Sequence, residues 1–289
     1  MADFAKATTA KHKAVLLKES IDGLDLKNGE TFVDGTYGAG GHTREVLRRF
    51  PGVRTISLDQ DPNVGADITG NFREIDKLLG ETRPDAILLD IGLSSDQIDP
   101  PTDGLGRGFS FLRDEPLDMR MSQKGTSATD ILNSWDESAI ELILRGFGEE
   151  KYSRRIAHEI VRRRELKPFE TTSELVETIS ASIPQGYKRS RIHPATRTFQ
   201  ALRIAVNEEL TALEEGLEKA FFQLKTGGRL AVITFHSLED RIVKNFFREK
   251  VKEESGELMN KKPIIPSEAE VRENPRSRSA KLRIIKKYV

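Results

Sequence analysis

The chain of 289 residues has no cysteine, and its 46 Lys+Arg balance 46 Asp+Glu. This excludes a disulfide framework, a thiolate metal site, an iron–sulfur cluster and a cysteine nucleophile, and it suits neither a polybasic tail protein nor an acidic disordered one. No apolar run approaches the ~20 residues of a membrane span, and the start, M-A-D-F-A-K-A-T, lacks the charged and apolar regions of a secretory signal, so a soluble, cytoplasmic protein is expected.

In chain order, Thr31–Asp34 reads as a short apolar strand ending in an acid, followed by a glycine cluster and a helix over Thr43–Phe50. Arg54–Asp59 and Asp85–Asp90 read as second and third strands, each again ending in Asp. The unbroken apolar run of the third predicts burial on both faces. This βαβ rhythm predicts a parallel, doubly wound sheet. Pro100 to Arg113 reads as loop, Ser127 to Ser182 as helices, and Pro184 to Arg191 as a further loop. After Pro194 the apolar positions Phe199, Leu202, Val206, Leu210, Leu213, Leu217, Phe221 and Leu224 recur every three or four residues, which predicts one long helix. Arg229–Phe235 follows as a buried strand, then a helix over Glu239–Lys250, a polar loop with prolines, and a last strand near Leu282–Ile285. The expected architecture is an α/β core of residues 1–102 and 193–289 carrying an inserted helical domain, 103–192.

Charge is segregated along this order. Asp59 to Asp118 holds 14 acidic and 5 basic residues, whereas Arg145 to Lys167 holds 8 basic and 4 acidic. Pro184 to Arg203 holds 5 basic and no acidic residues, and Val271 to Val289 holds 7 basic and 1 acidic. Any one run reads equally as a solvated helix face; three together favour a polyanionic partner.

The most informative segment is D-G-T-Y-G-A-G-G-H, Asp34 to His42. It places four glycines within seven residues between a strand and a helix. Such glycines permit a tight turn and close approach of a ligand to the main chain. Asp59 ends the next strand 25 residues after Asp34, where an acid accepts from the hydroxyls of an adenosine ribose. A dinucleotide would bring pyrophosphate to the helix N-terminus, but the spacing here is G-x-x-G-x-G-G, and Asp34 would repel it. S-adenosylmethionine, with its ammonium and sulfonium, suits Asp34 better. A glycine turn without a ligand is the plain alternative.

L-L-D-I-G-L-S-S then places Asp90, Ser94 and Ser95 beyond the carboxyl end of the third strand, where ligands of open α/β sheets bind; one serine can simply cap a helix. Together with R-G-F-S-F (Arg107–Phe111), P-L-D-M-R-M (Pro116–Met121), G-E-E-K-Y-S-R-R-I-A (Gly148–Ala157), H-P-A-T-R-T-F-Q-A-L-R-I (His193–Ile204), F-H-S-L-E-D-R-I-V-K (Phe235–Lys244) and N-P-R-S-R-S (Asn274–Ser279), these segments closely resemble, in order and over nearly the whole chain, the 16S ribosomal RNA cytosine-N4 methyltransferase family of the RsmH or MraW type. The resemblance implies a Rossmann-like class I core dependent on S-adenosylmethionine, an inserted helical substrate-recognition domain, and methylation of one cytidine in the decoding (P-site) region of 16S rRNA in the small ribosomal subunit. It leaves the oligomeric state open, a homodimer included. The cofactor residues it implies are Gly40, Gly41, His42, Asp59, Phe72, Asp90 and Gln97, beside Asp34 and Gly38 from the glycine turn. Two departures from the family pattern stand out: Pro62–Phe72 is short, and Asp96 replaces the usual proline.

The chemistry needs an acceptor for an amine proton, since the exocyclic amine of cytosine is a poor nucleophile. Asp90 is the first candidate, with a main-chain carbonyl near Gly92 as the alternative. Ser94 and Ser95 are candidates for hydrogen-bonding the base edge. His12, His42, His158, His193 and His236 lack metal-ligand spacing, so no metal is expected. His193 and His236 either approach RNA or brace the pocket. Trp135 reads as core, Phe109 and Phe111 as candidates for stacking, and Arg154, Arg155, Arg162, Arg163 and Arg164 as candidates for phosphate contact. A nicotinamide-dependent oxidoreductase and a nucleic-acid-binding protein without catalysis are the competing readings.

Overall fold

The computed structural model describes residues 13–92, 106–188 and 193–288. It divides into a sheet unit, 1–94 with 212–289, and a helical unit, 95–211. In chain order the elements are α1 (Leu17–Leu24), β1 (Thr31–Asp34), α2 (Gly41–Arg49), β2 (Arg54–Asp59), β3 (Ile68–Thr69), a 3-10 turn (Phe72–Glu74), α3 (Ile75–Leu79) and β4 (Ala86–Asp90). The helical unit carries α4 (Ala128–Ser134), α5 (Glu137–Gly146), α6 (Ser153–Arg164), α7 (Thr172–Ser182), α8 (Gln185–Lys188) and α9 (Ala195–Asn207). Then follow α10 (Glu209–Gln223), β5 (Arg229–Thr234), α11 (Ser237–Lys252), β6 (Gly256–Leu258), α12 (Glu268–Glu273) and β7 (Lys281–Lys287). No helix among the described residues is long and apolar enough to cross a membrane.

The seven strands lie in the order β3-β2-β1-β4-β5-β7-β6, with β1 to β5 parallel. This is a Rossmann-like α/β sheet, but not the wholly parallel one expected, because β7 runs antiparallel to both β5 and β6. An antiparallel strand needs no helical crossover, so β7 slots between two strands already laid down. Alternation along each strand supplies both faces. Ile87 and Leu89 of β4, with Leu230 and Val232 of β5, pack beneath Ile75, Leu213, Leu217, Phe221, Val243 and Phe247. Ala86, Leu88, Ala231 and Ile233 turn the other way, toward Ile21, Leu24, Val46 and Ile284.

The long helix expected after Pro194 is two helices. Glu208 sits between them in the left-handed region at φ 49°. The apolar spacing continues across this break because its two halves serve different cores. Phe199 and Leu202 are buried within the helical unit, whereas Leu213, Leu217, Phe221 and Leu224 join the sheet core. Accordingly α9 belongs to the helical unit, which is wider at both ends than the 103–192 expected. Three helices start on reciprocal capping boxes: Ser127 with Asp130 for α4, Thr171 with Glu174 for α7, and His236 with Glu239 for α11.

Candidate cofactor and acceptor site

Three neighbouring strands, β2, β1 and β4, end on Asp59, Asp34 and Asp90. Pairing registers Asp34 with Ser57 on one side and Leu88 on the other, so the three carboxylates share one edge of the sheet. Strand order also reverses here: β1 leads to β2 on one side, while β4 lies on the other, which is the switch point where open α/β sheets hold ligands.

Asp34 is 1% exposed. Its Oδ2 accepts from Thr43 Oγ1 at 2.8 Å and its Oδ1 from the Thr36 N–H at 3.4 Å. Burial nevertheless pushes its pKa up to about 6, with those bonds opposing and Asp59 adding to the rise. Asp59 accepts from the Gly38 N–H at 2.8 Å and the Asp61 N–H at 2.9 Å, and burial raises its pKa as well. The Gly38 bond ties the glycine turn to the second strand. Gly40, at φ 70°, lies so close to Tyr37 that a Cβ there would come within 2.6 Å of the ring. The turn therefore takes no larger residue at this position without rearranging.

The Asp90 main chain is fixed by its N–H donating to Thr36 Oγ1 at 2.6 Å. Burial pushes the Asp90 carboxyl up to about 6, while His42 pulls the other way. Nδ1 of His42 lies 4.0 Å from Asp90 Oδ2. Nε2 is 3.2 Å from the Val15 carbonyl; a carbonyl only accepts, so this nitrogen carries the proton and Nδ1 faces the carboxylate.

The structure thus brings Asp34, Gly38, Gly40, Gly41, His42, Asp59 and Asp90 to one edge. Phe72 is placed differently: its ring is 9% exposed and lies in the sheet core, where a Cβ on Gly216 would come within 2.4 Å of it. Its Cβ lies 3.8 Å from where a side chain on Gly35 would begin. Ser94, Ser95, Asp96 and Gln97 lie outside the described residues, as does His12. Sequence reasoning passed over Thr36 and Thr43, the hydroxyls that hold Asp90 and Asp34 in place. Their one signal was position within or just after the glycine turn.

Several candidates in the helical unit and beyond take on structural work. Phe109 is 8% exposed, with the Arg107 guanidinium 5.4 Å over its ring, so it offers no face for stacking. Arg164 donates to the Leu132 and Trp135 carbonyls at 3.0 and 2.6 Å. Arg163 donates to Thr178 and Glu177 and covers Phe169, and Arg162 pairs with Glu159. Arg163 and Arg164 are thus tied into the helical unit, whereas Arg162 stays exposed in its pair with Glu159 one turn back. Arg154 and Arg155 are exposed. Trp135 is half-buried at the end of α4, and His158 pairs with Glu137 at 3.2 Å. His236 opens α11, its Nδ1 accepting the Glu239 N–H at 3.4 Å.

The MraW methylase family model matches residues 9–288. The chain belongs to this family. It is 46% identical to a ribosomal RNA small subunit methyltransferase H of Caulobacter vibrioides, covering 96% of this chain and 95% of that one. It is also 46% identical to the protein of that name from Trichormus variabilis, over 96% and 92% of the two chains, and 43% identical to one from a Paenibacillus species, over 96% and 99%.

Proposed function

We propose that the chain transfers a methyl group from S-adenosylmethionine to the exocyclic N4 of one cytidine in the decoding (P-site) region of 16S rRNA. The observation that carries the reading is the row of three strand-end carboxylates around a glycine turn, Asp34 buried and Asp59 and Asp90 half-buried, in a chain of a methylase family. Three acids gathered with no Lys or Arg among the described residues hydrogen-bonded to them suit a cationic ligand. They oppose the pyrophosphate of a dinucleotide, so a nicotinamide cofactor gains no support here.

The residues fit S-adenosylmethionine, which when bound supplies an electrophilic methyl group on a positive sulfur. Asp34 and Asp90 answer its charge, Asp59 accepts from the ribose hydroxyls, and the turn from Gly38 to Gly41 lets the ligand lie against the main chain. Asp90 also accepts the proton that the cytosine amine loses. Its raised proton affinity matches that task better than an ordinary carboxylate would, because general-base efficiency grows as the pKa nears the working pH. His42 sits behind Asp90 and steadies its negative form when Nδ1 carries a proton as well as Nε2. Holding the amine in line with the methyl–sulfur bond lowers the barrier further, by ~7–11 kcal/mol in well-oriented cases. The target base leaves its stack to reach the site, and Ser94 and Ser95 hydrogen-bond its edge, with Gln97 on the cofactor side. The helical unit recognises the RNA, and the protein works in the cytoplasm on the small subunit.

Mass spectrometry of small-subunit RNA from cells with and without the protein tests the reading. One methyl should disappear from one decoding-region cytidine on deletion. Unchanged cytidine methylation would overturn it. Sedimentation of the free chain decides between monomer and homodimer.

A further inference from the structure

Phe111 and His193 of the helical unit lie face to face, their ring centroids 4.6 Å apart and 14° from parallel. Phe199 meets Phe111 edge-on at 5.3 Å. The three rings form a graded column: Phe199 is buried, Phe111 half-buried and His193 exposed. The outer ring is held as well as backed. His193 Nδ1 accepts the Ala195 N–H at 3.2 Å, and its carbonyl accepts the Thr196 N–H at 3.0 Å. With Phe111 on one face, the exposed part of the imidazole is its other face and rim. Capping of α9 does not demand an aromatic ring, since Asn or Ser would accept the same N–H. Nor does packing, since an exposed ring adds little to a core.

We propose that the Phe111–His193 pair is a stacking platform for an unpaired base of the RNA substrate. Every base has a π-face, so a pre-ordered aromatic ring binds single strands with little sequence preference. The surroundings favour a polyanion over an apolar protein partner. The stretch Pro184–Arg203 has no acidic residue; Arg203 is paired with Glu209, but Arg197, one turn along α9, donates to the Glu149 carbonyl, which leaves its charge in place. The platform rests on the reading of an RNA substrate, but it is separate from the methyl-transfer chemistry.

The test uses the full chain without S-adenosylmethionine and a single-stranded decoding-region RNA oligonucleotide carrying 2-aminopurine, whose fluorescence falls on stacking. His193→Asn keeps an acceptor at the helix start and removes the ring; His193→Phe keeps a ring and removes the acceptor. Wild type should quench the probe. His193→Asn should lose quenching and bind about 5- to 150-fold more weakly, with an unchanged salt slope because no phosphate contact is lost. His193→Phe should restore both. The proposal is overturned by absent quenching in wild type, by wild-type affinity in His193→Asn, by equal losses in both variants, or by a fallen salt slope. Failure of methyl incorporation by wild type, measured separately, would instead break the functional reading and leave the platform standing.

Discussion

Asp34 and Asp90 at the sheet edge and Asp118 in the helical unit are all carboxylates partly or wholly withdrawn from water, yet their proton affinities move in opposite directions. Burial raises all three and is the largest single influence at Asp118 too, but there the Arg120 guanidinium at 3.0 and 2.6 Å, its main-chain N–H at 2.8 Å and the charges of Arg120 and Arg107 together outweigh it and the pKa falls. Asp240, far along the sheet unit, behaves like Asp118 because Arg283 and Lys281 reach it at 2.7 and 2.9 Å. At Asp34 and Asp90, among the described residues, hydroxyls, N–H groups and His42 answer instead, and burial wins. A carboxylate paired with arginine is finished as a structural element. One buried without a cation retains free energy for a cationic ligand or a proton, which is why perturbed acids gather at functional sites.

The contrast breaks most visibly at Asp90. Asp90→Asn keeps the shape and removes the charge and proton affinity. In single-turnover methyl transfer at saturating S-adenosylmethionine the rate should fall ~10²–10⁴-fold. A rate within about threefold of wild type would leave proton acceptance to a main-chain carbonyl or water. The next largest effect belongs to Asp59→Ala, which should weaken S-adenosylmethionine binding by ~1–3 kcal/mol in calorimetry. Unchanged affinity would remove Asp59 from the site.

Acidification separates the two roles of these acids by sign. Asp34 and Asp90 have folded pKa values of about 6 against an ordinary 3.8. Between those values the folded state holds protons that the unfolded state has released, so the free protein gains stability as pH falls from 7.5 to 5.5. The gain is roughly 1 kcal/mol per group, and the penalty is fully present above the folded pKa. Affinity for the cationic ligand moves the other way, falling about fourfold for each carboxylate that meets its charge. Thermal melts and calorimetry across that window check both signs, and Asp34→Asn with Asp90→Asn should flatten both trends. Parallel movement of stability and affinity would show that the carboxylates do not face the ligand.

The strands were legible where an apolar run ends in an acid, as in T-F-V-D, R-T-I-S-L-D and A-I-L-L-D, because burial and chemistry both leave their mark in residue type. Short or polar elements were not: β3 has two residues and β6 reads G-E-L, and pairing along the sheet rather than composition makes them strands. The break at Glu208 was hidden because side-chain spacing reports which face is apolar, not which core it meets. The acids of the candidate site were readable from strand ends, whereas Thr36 and Thr43 act through hydrogen bonds that residue type alone does not reveal. Basic runs showed where charge accumulates, but partners across the fold decide which of those charges remain available.

The smallest expected effect belongs to the arginines of α6. Arg154 and Arg155 are exposed on α6, and Arg155 has its guanidinium 5.9 Å over the Tyr152 ring, which does not neutralise it. Ten residues on, Arg164 is spent on two carbonyls. Arg154→Gln and Arg155→Gln should each lower the slope of log affinity for RNA against log salt by about 1, with the melting temperature held. Arg164→Gln should do the reverse, lowering the melting temperature as Leu132 and Trp135 lose a donor and leaving the slope alone. The effect on affinity at one salt concentration is modest, so the slope across a titration is the quantity to measure. If all three variants share one slope with wild type, α6 does not face phosphate, and the positive balance of Arg145–Lys167 is a solvated helix surface.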